Sequence, residues 1–140
     1  MIPRSALILG LAGLIPFFAC ALVQLTGWPG AFGRSDPIML HYGIIILAFM
    51  SGVLWGFATK AAGQSAALGY GLSVLPAFWA FFTTMGPPAQ ALAALAAGFA
   101  GLLVLDWHFW RLGLAPVWWL RLRLLLSAGV LASLAIGLYA

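Results

Sequence analysis

Few side chains of this sequence could act as acids, bases or metal ligands near neutral pH, and the most suitable are His41, Asp106 and His108. The chemistry would be proton transfer or metal binding. His41 is predicted to begin one helix, whereas Asp106 and His108 are predicted to lie at the far end of another, about 30 Å away across a membrane. The sequence therefore predicts no catalytic residue, no metal site, no cofactor and no haem held between the two histidines.

Two pairs of residues are candidates for contact with a ligand or a partner. His41 and Tyr42 could form a proton or ligand site at the outer surface, or they could anchor the end of a helix. Trp55 is predicted to lie deep in a membrane span, with Ser51 one turn before it. Its indole N–H needs an acceptor in a dry interior, such as a hydroxyl group or a ligand.

The remaining candidates are charged. Asp106 is predicted to lie at the edge of the hydrocarbon core, where a carboxylate is costly unless it is paired. Its candidate ion-pair partners are Lys60, Arg111, Arg121 and Arg123. The alternative is that Asp106 docks a partner or forms an inner gate.

Two of those arginines follow a pair of tryptophans. Arg121 and Arg123 come directly after Trp118 and Trp119 and are separated by one leucine. This pattern suits anionic lipid headgroups. It predicts anchoring at the membrane interface, with specific lipid or protein docking as the alternative.

The elements that position these residues must be membrane helices. Of the 140 residues, 65% are hydrophobic and 6% are charged, and the mean hydropathy is +1.13. A soluble globule is excluded, and six scattered basic residues do not build a nucleic-acid surface. The single cysteine, Cys20, excludes an intrachain disulfide. The apolar run after Arg4 is predicted to be a retained first span rather than a cleaved signal peptide.

Charges and prolines divide the chain into one transmembrane domain with five predicted helical spans, because about 20 apolar residues cross a bilayer. The third and fourth spans are separated by the Gly-Pro-Pro sequence at 86–88, and Pro16 and Pro76 are expected to kink the first and third. Residues 27–36 form a polar and aromatic connector. The predicted spans are about 5–26, 37–59, 65–84, 89–106 and 120–140.

Basic residues predict the orientation of this five-helix bundle. One side collects five of them, whereas the other has Arg34 alone, partly offset by Asp36. The positive-inside rule then predicts a cytoplasmic N-terminus and a periplasmic (or intermembrane) C-terminus, in a bacterial inner membrane. The five are Arg4, Lys60, Arg111, Arg121 and Arg123.

Small residues recur at helical spacing in every span, and such seams let membrane helices pack closely. A compact self-packed bundle accounts for them, with the Ala-rich fourth span at its centre. A seam that faced lipid would instead indicate a dimer or a larger partner. The seams are Ala6 and Gly10; Ala48, Gly52 and Gly56; Gly69, Ser73 and Ala77; Ala93, Ala97 and Gly101; and Gly129, Ser133 and Gly137.

Three stretches, at 9–17 (LGLAGLIPF), 42–58 (YGIIILAFMSGVLWGFA) and 113–127 (GLAPVWWLRLRLLLS), resemble a bacterial and mitochondrial inner-membrane family of unknown function, the one that includes mitochondrial transmembrane protein sixty-nine. The resemblance implies a small five-span protein and brings no catalytic residues. The chain departs from the family pattern at Ser51, Leu54 and Trp119, which puts a charged site in the second span in doubt. The matching positions are Gly10, Gly13, Pro16, Tyr42, Phe49, Gly52, Trp55, Gly56, Pro116, Trp118, Leu120 and Arg121.

Three functions fit these features. The first is a non-enzymatic accessory or assembly protein that packs against another inner-membrane complex. The second is binding or transport of a small lipophilic ligand, with a pocket near Trp55, Pro16 and Pro76. The third is an enzyme that acts on a lipid through Asp106 or His108, and an ion channel is disfavoured because no span has a repeated polar face. The expected partners are membrane lipids and another integral membrane protein or a second copy of the chain.

Overall fold

Helices account for most of the chain and group into five spans. The structure, a computed structural model, describes residues 1–27 and 35–139, and no strand occurs among them. Five segments are long and apolar enough to cross a membrane, which confirms the predicted all-α, five-span fold. The helices are α1 (Arg4–Ala12), α2 (Ile15–Thr26), α3 (Ser35–Ala58), α4 (Gly63–Ser73), α5 (Leu75–Thr83), α6 (Pro88–Arg111) and α7 (Trp119–Tyr139).

Proline divides the first and third spans into two helices each. Pro16 and Pro76 both occupy the second position of the helix that follows an interruption. Proline has no N–H to donate to the preceding turn, and its ring crowds the carbonyl group four residues earlier. The kinks expected at these two residues are found as interruptions of the helix, at the α1–α2 and α4–α5 junctions.

The fourth span is longer than its predicted bounds. Helix α6 continues to Arg111 and turns only at Gly113, whose φ of +76° favours glycine. The prediction ended this span at Asp106 because charged residues were taken as the limits of the uncharged, membrane-spanning runs. Here Asp106 lies inside the helix, about 7.5 Å before its end. Arg34 of the predicted connector lies outside the described residues, as does the side chain of Asp36.

The spans form a ring of four with a fifth outside it. Helix α2 packs against α3 and α7, and α6 packs against the same two helices. The third span, α4 and α5, lies against α3 and α6. Helix α6 contacts α3, α4, α5 and α7, and α3 contacts as many helices, so the second and fourth spans share the central place that was predicted for the fourth alone. Phe17, Leu47, Leu95, Phe99 and Leu134 are buried in the core.

Three of the predicted seams pack inside the bundle. A Cβ on Gly10 would meet Leu126, one on Gly69 would meet Ala58, and one on Gly137 would meet Met39. These glycines therefore sit where a neighbouring helix approaches closely.

The seams of the second and fourth spans point outward, so the self-packed interpretation is wrong for them. Ala48, Gly52 and Gly56 are exposed, and so are Ala93, Ala97 and Gly101. Their helices instead approach their neighbours at Gly43, which faces Leu95, and at Gly98, which faces Trp79 and Leu47.

Candidate functional site

A buried ion pair joins the last two spans. The Arg123 Nε donates to Asp106 Oδ2 over 2.9 Å, and the Trp119 indole N–H donates to Asp106 Oδ1 over 3.0 Å. Asp106 is fully buried and Arg123 is 5% exposed. Both carboxylate oxygens thus have a donor, which a charge inside a membrane protein requires. Of the four candidate partners of Asp106, the structure selects Arg123.

The helical period of α7 explains that selection. Residues four apart lie on the same side of a helix, so Trp119 and Arg123 both face α6. Arg121 is exposed, because a two-residue step turns its side chain away from Arg123. Trp118 precedes the helix, and its carbonyl accepts a hydrogen bond from the N–H of Leu122. The WWLRLR sequence therefore has an inner and an outer side, although its two arginines are equivalent by sequence pattern alone.

The exposed cations gather at the same end of the bundle. Lys60, in the α3–α4 connection, donates to the carbonyl of Leu114 in the α6–α7 connection over 3.2 Å. The Arg111 guanidinium lies 4.8 Å from the Trp107 ring, and its Nη2 is 3.5 Å from His108 Nδ1. Arg4 begins α1, which packs along α7. We call this the basic end: the exposed Arg4, Lys60, Arg111 and Arg121, together with the buried Arg123.

A cavity of about 520 Å³ opens at the basic end, beside the start of α7. Trp110 forms one wall, and its indole N–H donates to the carbonyl of Val117 over 3.1 Å. Trp118 and Arg121 line the same cavity, and Leu120 and Leu124 line its apolar part. The cavity thus combines a guanidinium group, two indole rings and an apolar floor.

The two candidates at the outer surface, His41 and Tyr42, lie in different environments. His41 is exposed. Tyr42 is half-buried, donates its hydroxyl to the carbonyl of Gly13 over 2.8 Å, and places its ring 5.1 Å from the Phe17 ring in an edge-on arrangement. Tyr42 therefore ties α3 to the α1–α2 junction.

Trp55 and Ser51 do not form the expected local pair. Trp55 is 48% exposed, on the outside of α3, with its ring 4.5 Å from that of Tyr70. The Trp55 side chain therefore lies on the outside of the second span, away from the core of the bundle. The Ser51 hydroxyl accepts instead from the backbone N–H of Ala77, over 2.9 Å. Ala77 directly follows Pro76, so Ser51 satisfies a backbone donor at the break in the third span.

A second cavity, of about 530 Å³, lies between α5 and α6 and opens to the outside. Phe78, Trp79 and Phe82 form one wall, and Ala97 and Gly101 lie opposite. It adjoins Pro76, whereas Trp55 and Pro16 do not line it. Trp79 was not among the predicted site residues; its indole N–H donates to the carbonyl of Ala94 over 2.7 Å. The sequence feature that could have indicated this groove is the small-residue seam of the fourth span, because Ala97 and Gly101 form the side of the groove opposite Trp79.

The described residues contain no group of three His, Cys, Asp or Glu side chains that could hold a metal ion. Asp106 and His108 are two residues apart on α6, and only Asp106 is buried. The carboxylate of Asp106 is already engaged by Arg123 and Trp119. The described residues therefore contain three candidate features. They are the buried cluster of Asp106, Arg123 and Trp119, the aromatic cavity at the basic end, and the apolar groove between α5 and α6.

Comparison with known proteins places the chain in a family. Residues 2–139 match the family described as "Protein of unknown function (DUF3429)". The chain is 33% identical over 135 residues to Transmembrane protein 69 of Xenopus tropicalis, an alignment that covers 94% of this chain and 53% of that protein. The chain thus spans about half the length of this relative. No solved structure matches it significantly. With five membrane-spanning helices and a family match over nearly its whole length, the chain is a multi-pass membrane protein that belongs to the DUF3429 family.

Proposed function

We propose that this protein is a non-enzymatic accessory or assembly protein, and that one side of α3 packs against a transmembrane helix of another integral membrane protein. The observation that carries the proposal is an outward-facing stripe of small residues on that helix. We call this surface the α3 outer face: Ile45, Ala48, Phe49, Gly52, Trp55 and Gly56, all of them exposed.

The shape of the α3 outer face suits a second helix. Ala48, Gly52 and Gly56 are spaced four residues apart and line up along the helix. Apart from the adjoining residues and the nearby backbone of α3 itself, no atom of the described residues lies within 4 Å of where a Cβ at Gly52 or Gly56 would be. Phe49 and Trp55 flank this shallow strip. Small-xxx-small stripes of this kind allow membrane helices to approach closely and gain van der Waals contact.

The rest of the molecule supports a role without catalysis. The fully buried acid, Asp106, is engaged in holding α6 to α7. A protein of this kind would act by presenting a surface. The residues of the α3 outer face are all exposed, and Trp55 among them also lies against Tyr70 of α4.

The test is photo-crosslinking in the native membrane. A benzophenone amino acid replaces Phe49, which is 64% exposed on the α3 outer face, and in a matched chain it replaces Phe81, which is 58% exposed on α5. We expect Phe49 to capture one other integral membrane protein and Phe81 to capture lipid. Gly52→Leu combined with Gly56→Leu should lower the Phe49 adduct at least about tenfold, since about 1.4 kcal/mol of lost packing corresponds to a tenfold change.

This double substitution leaves the bundle intact because both positions are open, so unchanged thermal unfolding is its control. An adduct whose yield is insensitive to the two leucines would contradict the proposal. An adduct with a second copy of the chain would replace it with self-association through the same face.

A second candidate function is binding or transport of a small lipophilic ligand, and the groove between α5 and α6 favours it. Its size falls within the range of small-molecule sites. Phe78, Trp79 and Phe82 offer aromatic surface, and Gly101 leaves room opposite them. A flat or ring-shaped apolar ligand suits this geometry.

Native mass spectrometry of gently extracted protein tests this alternative. A lipophile bound in the groove should be retained, and Gly101→Leu should lower its occupancy about tenfold by filling the floor. The two α3 leucines are the matched control and should leave occupancy unchanged. Equal occupancy in the Gly101→Leu variant would exclude the groove as the site.

We also propose a bacterial inner-membrane location, with the N-terminus in the cytoplasm and the C-terminus outside. The support is the concentration of exposed cations at the basic end, since basic residues in short loops favour the cytoplasmic side. The equivalent orientation in mitochondria would place the basic end in the matrix.

A further inference from the structure

We propose that the cavity at the basic end is a binding site for the headgroup of an anionic phospholipid, with Arg121 contacting the phosphate. The proposal does not depend on the α3 outer face. It rests on the different environments of the two arginines in the WWLRLR sequence: Arg123 is buried in the protein, whereas Arg121 is exposed.

Arg121 is free to bind an anion because Arg123 is engaged. Arg123 is buried against Asp106 and neutralises it. Asp106 is also the one acidic side chain among those described at this end. Arg121 is exposed at the cavity without a carboxylate beside it in the described part of the chain. The local field therefore favours a negatively charged ligand.

The walls of the cavity fit a lipid rather than a soluble anion. Trp110 and Trp118 flank Arg121, and indole rings are at home at the level of membrane headgroups. Leu120 and Leu124 line the apolar part of the cavity, and Leu124 is 50% exposed. A phospholipid would place its phosphate at Arg121 and the start of an acyl chain along these leucines.

The position of the cavity along the bundle agrees with this ligand. It lies beside the first turn of α7, at the end of a membrane span. The Trp110 indole is held by the carbonyl of Val117, so this wall is fixed before a lipid arrives. A preformed wall reduces the entropy lost on binding.

The experiment is a native mass spectrometry titration of the purified full chain in a non-ionic detergent. The probes are phosphatidylglycerol and phosphatidylcholine with identical acyl chains. We expect the first phosphatidylglycerol to bind about fivefold more tightly than phosphatidylcholine, because one basic residue at a membrane surface is worth roughly that factor. Arg121→Gln should remove this preference.

Arg111→Gln is the matched control. Arg111 is an exposed cation at the same end, but it lies over Trp107 and does not line the cavity. It should keep the preference, and both variants should keep the helical circular dichroism of the parent. The proposal is overturned if the parent does not prefer phosphatidylglycerol. It is equally overturned if both variants lose the preference to the same extent, since binding would then follow overall charge rather than this cavity.

Discussion

Removing one partner of the Asp106–Arg123 pair should destabilise the protein far more than removing both. In Arg123→Leu, the carboxylate of Asp106 stays fully buried and keeps a single donor, Trp119. In Asp106→Leu, the guanidinium of Arg123 and the indole N–H of Trp119 both lose their acceptor. The double variant leaves only the Trp119 N–H without its partner.

The magnitudes follow from burial. Breaking a buried pair on one side costs about 3–5 kcal/mol, because a desolvated charge is left behind. An unpaired buried N–H costs about 1–3 kcal/mol. We therefore expect each single leucine variant to lose about 3–5 kcal/mol in free energy of unfolding, and the double variant to lose about 1–3 kcal/mol. The loss in the double variant is then well below the sum of the single losses.

The assay is reversible unfolding in phosphatidylcholine bicelles, which contain no anionic lipid for Arg121, followed by tryptophan fluorescence and far-ultraviolet circular dichroism. Arg121→Leu is the matched control, since this arginine is exposed two residues away and should change the free energy of unfolding by less than about 0.5 kcal/mol. The reasoning is refuted if the losses of the two single variants add up in the double variant. It also fails if Arg121→Leu is as damaging as Arg123→Leu.

Three further outcomes are expected. Ser51→Ala should lower the free energy of unfolding by about 1 kcal/mol, because it loses the hydrogen bond to the third span. Ser127→Ala should leave it unchanged, because the buried Ser127 hydroxyl has no hydrogen-bond partner among the described residues. Thermal unfolding compares the two variants. Gly98→Ala should cost about 1–3 kcal/mol, since the new Cβ would lie 2.7 Å from Trp79, and Gly101→Ala should cost nothing in the same assay. Alkaline phosphatase fused to the C-terminus should be active in bacteria and inactive when fused to the N-terminus; the reverse pattern would refute the proposed orientation.

The five spans could be predicted from the sequence because lipid imposes a single requirement, a run of about 20 apolar residues. The breaks at Pro16 and Pro76 were predictable for a similarly local reason, the missing N–H. The partner of Asp106 was not. Four basic residues were eligible by position, and only the rotation of α7 relative to α6 distinguishes Arg123 from Arg121.

Rotation also explains the wrong interpretation of two seams. A span with small residues on several sides does not specify which side its neighbours occupy. Helix α3 has Gly43 inside and Gly52 outside, and α6 has Gly98 inside and Gly101 outside. Spacing identifies where a close approach is possible, but the large side chains of the neighbours decide where it occurs. The same geometry left Trp55 on the surface.

Side-chain hydrogen bonds connect each span to the next, and two of them meet the proline breaks. Span two supplies both of these: Tyr42 donates to Gly13, just before Pro16, and Ser51 accepts from the residue after Pro76. Backbone groups at such breaks need partners inside a membrane. The second span thus supplies a hydrogen-bond partner to each of the two interrupted spans.

The other two connections complete the series. Trp79 ties the third span to the carbonyl of Ala94 in the fourth, and Asp106 ties the fourth span to Arg123 and Trp119 in the fifth. The hydrophobic effect supplies little attraction between helices in lipid. These hydrogen bonds therefore contribute a larger share of helix association than they would in a soluble protein. Each one also fixes the rotation of a helix about its axis. The rotation of α7 that turns Trp119 and Arg123 inward leaves Arg121 at the cavity. The hydrogen bonds that join α6 to α7 therefore also position Arg121 in the proposed lipid site.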